Sequence, residues 1–208
     1  MFRRNKEEPP EKAAGATDKK ANYFLKISLL GDGAVGKTNI RRSYLGVGFT
    51  QDHLMTIGAD FAATERNYTI GGKDFNITFQ IWDLAGQSTF SNVRSMYYRG
   101  CFGGFMVFDR TRPSSFHNIP HWLKELEKNS GKGMVPIVLL GNKYDLIDSA
   151  DEVVSMDEIN AFVDELNSKA DKNGFEVKYL DTSALTGLNI DKAFETLGEA
   201  ILRWQKAV

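Results

Sequence analysis

Residues 31–38 read Gly31-Asp32-Gly33-Ala34-Val35-Gly36-Lys37-Thr38 and directly follow the apolar run Phe24-Leu25-Lys26-Ile27-Ser28-Leu29-Leu30. The order is strand, glycine-rich loop, helix start. Backbone N–H groups in such a loop converge on phosphate oxygens, and the emerging helix adds partial positive charge. Gly31, Asp32, Gly33, Ala34, Val35 and Gly36 therefore form a candidate phosphate cradle, with Asn39 just inside the helix. Lys37 can neutralise terminal phosphates, and the Thr38 hydroxyl can ligate Mg²⁺. The expected ligand is a nucleoside triphosphate.

The rest of the 208-residue chain narrows its class. A net charge of -1 gives no reason to expect a nucleic-acid surface. The single cysteine, Cys101, excludes an internal disulfide framework and reads as a core residue. No apolar run approaches the ~18 residues that span a bilayer, and no signal-peptide core is present. A cytoplasmic protein is expected. Residues 1–21 are charged and poor in apolar groups, and read as a disordered tail; residues 22–208 read as one globular domain.

Within that domain strands and helices alternate. After strand 24–30 and a helix over 37–45, two antiparallel strands are expected near 60–70 and 74–82, joined at Gly71-Gly72. In the second, Phe75, Ile77, Phe79 and Ile81 share one face, a period of two. Buried strands follow at Gly103–Phe108, Pro136–Leu140 and Glu176–Leu180, with helices near 114–129, 156–171 and 190–205. The pattern predicts an α/β fold: a doubly wound, six-stranded, mostly parallel sheet with one antiparallel edge strand and about five helices. Ligands of such sheets lie at the carboxyl ends of the strands, so the loops after residues 30, 82, 141 and 181 should converge.

Two of those loops carry further signals. Trp82-Asp83-Leu84-Ala85-Gly86-Gln87 ends the second hairpin strand. Asp83 can hold Mg²⁺ through its water shell, Gly86 can offer an unobstructed N–H to the terminal phosphate, and the Gln87 amide can orient an attacking water. Asn142-Lys143-Tyr144-Asp145 follows the strand ending at Leu140. A buried Asp145 carboxylate accepting from the ring N–H and exocyclic amine of guanine would reject adenine, which lacks that donor pair. The Lys143 stem can lie over the base and Asn142 can tie this loop to the phosphate loop. Ser183-Ala184-Leu185 can offer backbone N–H groups to the guanine oxygen.

With these motifs in this order, residues 23–205 closely resemble the small GTPases (P-loop NTPases with a small G domain), and among them the Rab branch. Thr56-Ile57-Gly58-Ala59-Asp60-Phe61 and Tyr97-Tyr98-Arg99-Gly100 match Rab patterns. The resemblance implies that Thr56 ligates Mg²⁺ and the γ-phosphate, and that Phe49 lies against the guanine. Catalytic roles then fall to Gln87, Lys37, Thr56 and Gly86, and Gly33 leaves room beside the γ-phosphate. It also implies an exchange factor, an activating protein, and effectors that read Phe61, Trp82, Tyr97 and the switch loops. The implied function is a switch that binds GTP with Mg²⁺ and hydrolyses it slowly to GDP, in vesicle-traffic-like or cytoskeletal signalling. The alternatives are a nucleotide-bound pseudo-GTPase scaffold, against which Gln87, Thr56 and Gly33 all stand, and an ATPase or kinase, against which Asn142-Lys143-Tyr144-Asp145 stands.

The sequence also departs from the Rab pattern. No cysteine follows the last helix and the N-terminus carries no myristoylation signal, so no lipid anchor is expected; either the protein works in solution, or partners recruit it to membranes, or the sequence is a shortened form. No arginine in a motif position offers an internal arginine finger. Leu84, Ser88 and Leu185 replace residues usual in the family. His53 in the first switch, and His117 and His121 on one helix, read as exposed residues without a metal role. A monomer is the default.

Overall fold

A computed structural model of the chain describes residues 21–50, 56, 58–86 and 91–207. Six strands form one sheet: β1 (Ala21–Leu30), β2 (Ala59–Ile70), β3 (Lys73–Leu84), β4 (Gly103–Asp109), β5 (Ile137–Asn142) and β6 (Lys178–Asp181). Their order is β2-β3-β1-β4-β5-β6. β2 and β3 are antiparallel, and every other neighbouring pair is parallel. Among the described residues six α-helices accompany them: α1 (Lys37–Tyr44), α2 (Ser91–Tyr98), α3 (Pro113–His117), α4 (Ile119–Asn129), α5 (Met156–Ala170) and α6 (Ile190–Trp204).

Alternation along each strand sends side chains to two separate cores. Leu25, Ile27 and Leu29 of β1, with Phe105 and Val107 of β4, pack against Ile40 and Tyr44 of α1 and against the buried face of α6. Leu30, Met106 and Phe108 point the other way, onto Tyr98 of α2, Trp122 and Leu126 of α4, and Ile159 and Leu166 of α5. Every residue of β4 and β5 is buried, as covered parallel strands require. The edge strand β2 instead alternates between half-buried and exposed positions. Gly71 and Gly72 both take positive φ, 59° and 76°, the geometry that lets a two-residue turn follow the twist of its strands.

The expected elements form, with four differences. The helix anticipated over 114–129 is two, α3 and α4, because Pro120 lacks the N–H that a continuous helix would need there. That break and α2 raise the helix count to six. α2 is too short for a periodic signal; it buries Arg94 and Tyr98, four positions apart. β6 starts at Lys178 rather than Glu176, because the Asn167 amide takes both backbone groups of Val177, accepting from its N at 2.7 Å and donating to its O at 3.1 Å. β1, by contrast, extends back to Ala21, pairing with Phe75 of β3.

Phe194 of α6 is the centre of the first core. Its ring stacks on Tyr44 and meets Phe79 and Phe105 edge-on, with centroids 5.8 and 4.8 Å away. Phe194→Ala should therefore lower unfolding free energy by about 3–5 kcal/mol, read by urea denaturation. A loss below about 1 kcal/mol would show that this cluster does not anchor α6.

Candidate functional site

The turn after β1 is shaped by backbone that side chains resist. Gly31 and Gly36 have φ of 140° and 99°. A Cβ at Gly31 would lie 2.0 Å from the Val107 carbonyl oxygen, and one at Gly36 would lie 2.2 Å from Asn142 Nδ2. Only glycine fits either place. Lys37, at the start of α1, is buried and bends back over the turn, donating from Nζ to the carbonyls of Gly31 at 2.7 Å and Asp32 at 2.8 Å. Burial lowers its ammonium pKa to about 8, against the attraction of Asp83 and Asp32; the charges of Arg94 and Arg112 act in the same direction as burial.

One residue farther along α1, Thr38 meets two other elements. Its hydroxyl donates to Asp83 Oδ2 at 2.5 Å and lies 3.0 Å from the Thr56 hydroxyl. Asp83 stands near the end of β3 with no exposure to solvent, and its Oδ1 has no hydrogen-bond partner. Burial raises the Asp83 pKa, opposed by the Thr38 bond and by Lys37 and Arg41. Two hydroxyls and a half-satisfied carboxylate make an all-oxygen donor set, which fits Mg²⁺ with water completing its shell. Among the described residues no cluster of three or more His, Cys, Asp or Glu offers another metal site.

Past Asp83, the chain turns tightly onto the phosphate loop. A Cβ on Gly86 would sit 2.5 Å from both the Asp32 carbonyl carbon and the Gly33 nitrogen. Gly33 itself opens to space, with nothing within 4 Å of where a Cβ would lie. Gln87, His53 and Met55 lie outside the described residues. Asn39 clasps the segment before them, donating to Thr50 O at 3.0 Å and accepting from Thr50 N at 3.3 Å. Phe49, beside it, is exposed.

Across the sheet, Asn142 ties three segments together. Its Nδ2 donates to Val35 O at 2.8 Å, and its Oδ1 accepts from Ala184 N at 3.2 Å and Thr182 Oγ1 at 3.3 Å. Lys143 takes a left-handed backbone, φ 64°, and its ammonium pairs with buried Asp109 at 2.7 Å. Asp145 accepts from the Ser183 hydroxyl. It is exposed rather than buried, because the short turn after Lys143 carries it to the surface of the loop. Ala184 is buried and Leu185 exposed.

The loops after β1, β3, β5 and β6 thus converge as their sequence implies. The loop after β4 joins them, a contribution the motif reading missed although the same strand-end rule points to it. Asp109 holds Lys143, and Arg112 Nη2 donates to Gly33 O at 2.7 Å. A second missed group holds Asp32: Asn118 Nδ2 and Trp122 Nε1 donate to its two carboxylate oxygens at 2.8 and 2.9 Å. The Arg94 guanidinium covers the Trp122 ring, makes two bonds to Glu125, and donates to Ala85 O at 3.0 Å. No motif announces these bonds, since their partners lie far apart in sequence.

Beyond the pocket, Phe61, Trp82 and Tyr97 form one aromatic row, with centroid separations of 5.0 and 5.2 Å. Cys101 is buried beside Ser28, with Sγ 3.0 Å from its hydroxyl. His117 and His121 are exposed and lie near Glu158 and Glu125, respectively. Among the described residues no helix is long and apolar enough to cross a membrane.

Comparison with known proteins agrees with this geometry. A family model described as Ras family matches residues 26–203. The Ras-related protein RABA2a of Arabidopsis thaliana is 36% identical over 187 residues, covering 89% of this chain and 78% of the relative. RABA4a of the same plant is 38% identical over 183 residues, covering 88% and 74%. The GTP-binding protein ypt3 of Schizosaccharomyces pombe is 37% identical over 182 residues, covering 88% and 78%. The chain belongs to the Ras family, as a Rab-like small GTPase that hydrolyses GTP to GDP.

Proposed function

We propose that this chain is a timed switch whose nucleotide lies across the loops after β1, β3, β5 and β6. The observation that carries the reading is the meeting of Thr38, Thr56 and Asp83, from three separate segments, around a buried carboxylate oxygen without a partner. These three residues would hold Mg²⁺, which neutralises charge on the phosphates. Gly31 to Thr38 wrap the phosphates, and Lys37 exchanges its two loop carbonyls for phosphate oxygens. The Gly86 N–H binds the terminal phosphate, and Gln87 orients the attacking water. Water adds to the γ-phosphorus as its bond to the bridging oxygen breaks, leaving GDP and phosphate.

Thr56 and Gly86 lose their γ-phosphate contact in that step. Loss of those contacts releases the segments around them, which is how one bond cleavage becomes a change of surface. The row Phe61-Trp82-Tyr97 lies between those segments and is the surface for effectors. Exchange factors and activating proteins act on the same switch segments. The Rab-like pattern supports a role in vesicle-traffic-like signalling, with recruitment to membranes through partners.

Base choice rests on Asp145. A guanine placed on it would take the carboxylate out of water while supplying two donors; adenine would leave it unpaired. Lys143, held by Asp109, stacks its stem on one face of the base, and Phe49 approaches another. Asp145→Asn should weaken GDP binding by about 100-fold or more and improve binding of xanthosine diphosphate, in competition against a fluorescent nucleotide. Unchanged GDP affinity would refute the role of Asp145.

Lys37 makes affinity depend on pH. In the free protein its pKa is lowered from 10.5 to about 8, a stability cost that is full below pH 8 and disappears as pH rises toward 10.5. Phosphate oxygens beside it raise the pKa again, so binding above pH 8 takes up a proton. GDP affinity should be level up to about pH 7 and fall as pH rises through 8, by at most about tenfold per pH unit. Equal affinities at about pH 7 and pH 9 would separate Lys37 from the phosphates.

A further inference from the structure

The loop after β4 brings an arginine to the phosphate loop, where the sequence shows none in a motif position. Asp109 closes that loop on itself, its Oδ1 accepting from Thr111 N at 3.0 Å and Thr111 Oγ1 at 2.7 Å. The Ser115 hydroxyl donates to Arg112 O at 2.7 Å, fixing the backbone just before Pro113 opens α3. Held this way, Arg112 reaches across to Gly33 and donates from Nη2 to its carbonyl. Its Nε is buried without a partner, so the guanidinium is only partly satisfied by the bond it makes.

Gly33 is confined from two sides. Gly86 packs so closely that a Cβ there would strike the Gly33 nitrogen, while Arg112 holds the Gly33 oxygen. The remaining side, where a Gly33 Cβ would project, is open. In the placement of nucleotide proposed above, that open side faces the terminal phosphate. A guanidinium is charged at every physiological pH and keeps its charge when partly buried. Fixed charge at the place where negative charge develops acts without reorganisation during the reaction.

We propose that Arg112 is a positioning residue for hydrolysis supplied in cis, holding Gly33 in place and adding permanent positive charge at the terminal-phosphate end of the loop. Arg112 transfers no proton and forms no covalent bond. It acts while water adds to the γ-phosphorus and the bond to the GDP oxygen breaks. The inference rests on the nucleotide placement given under the proposed function. It implies that this chain turns over faster by itself than its motifs alone would allow.

The test uses the full chain loaded with GTP, and compares wild type with Arg112→Gln and Arg112→Lys. Glutamine keeps a donor for the Gly33 carbonyl but removes the charge; lysine keeps the charge but loses the planar fork. Three quantities are read: GDP affinity, single-turnover phosphate release, and capture of aluminium fluoride by the GDP-bound protein without any activating protein. Arg112→Gln should hold GDP within about threefold of wild type, release phosphate roughly 10- to 100-fold more slowly, and fail to capture aluminium fluoride. Arg112→Lys should recover part of both activities. Wild-type phosphate release by Arg112→Gln would overturn the proposal, as would a loss of rate that merely follows a loss of GDP affinity. A wild-type protein that binds no GDP would instead defeat the nucleotide placement itself, and that result is read before any variant is made.

Discussion

Asp83 is the constraint around which the site is arranged. It has no exposure to solvent, and one of its oxygens is bonded to Thr38 while the other has no partner. A buried carboxylate in that condition is costly unless a cation or further donors balance it. The fold surrounds it with two hydroxyls that can hold a cation, Thr38 on α1 and Thr56 ahead of β2, and sets the Lys37 ammonium alongside as a fixed counter-charge. Lys37 and Thr38 come from α1, and Thr56 from a separate segment that meets the Thr38 hydroxyl. A ligand bound at Asp83 would therefore meet α1, Thr56 and the end of β3 together.

The remainder of the site keeps the cradle rigid while those segments respond. Asn142 fastens the phosphate loop to the ends of β5 and β6 through a single amide, and Gly36 lacks the Cβ that would collide with it. On the opposite side, Trp122 and Asn118 hold the Asp32 carboxylate. Arg94 then joins Trp122 and Glu125 of α4 to the backbone just before Gly86. The phosphate loop is thus anchored to the ends of β5 and β6 and to α4, and the turn before Gly86 is anchored to α4 through Arg94.

Local pattern made the sheet legible: alternating Phe75, Ile77, Phe79 and Ile81 announced β3, and uninterrupted apolar runs announced β4 and β5. The phosphate loop, Asp83 and Asn142 were also legible, because each is a short motif at a strand end. What stayed hidden depends on partners distant in sequence. Asn167 shortens β6 by capturing Val177, and Asp109 reaches Lys143 across the strand ends. No motif marks Trp122, yet its indole N–H serves Asp32. Arg112 sits in no motif, and only the turn before α3 brings it to Gly33. Pro120 was readable as a break, because it lacks the N–H that one continuous helix would need.

The most direct test of the switch is release of phosphate from GTP-loaded protein in a single turnover, with excess ATP present and Mg²⁺ either supplied or chelated. Release should require Mg²⁺ and proceed undisturbed by ATP. GTP held tightly for many hours with Mg²⁺ present and no phosphate released would contradict a switch, and would leave a nucleotide-dependent scaffold in its place.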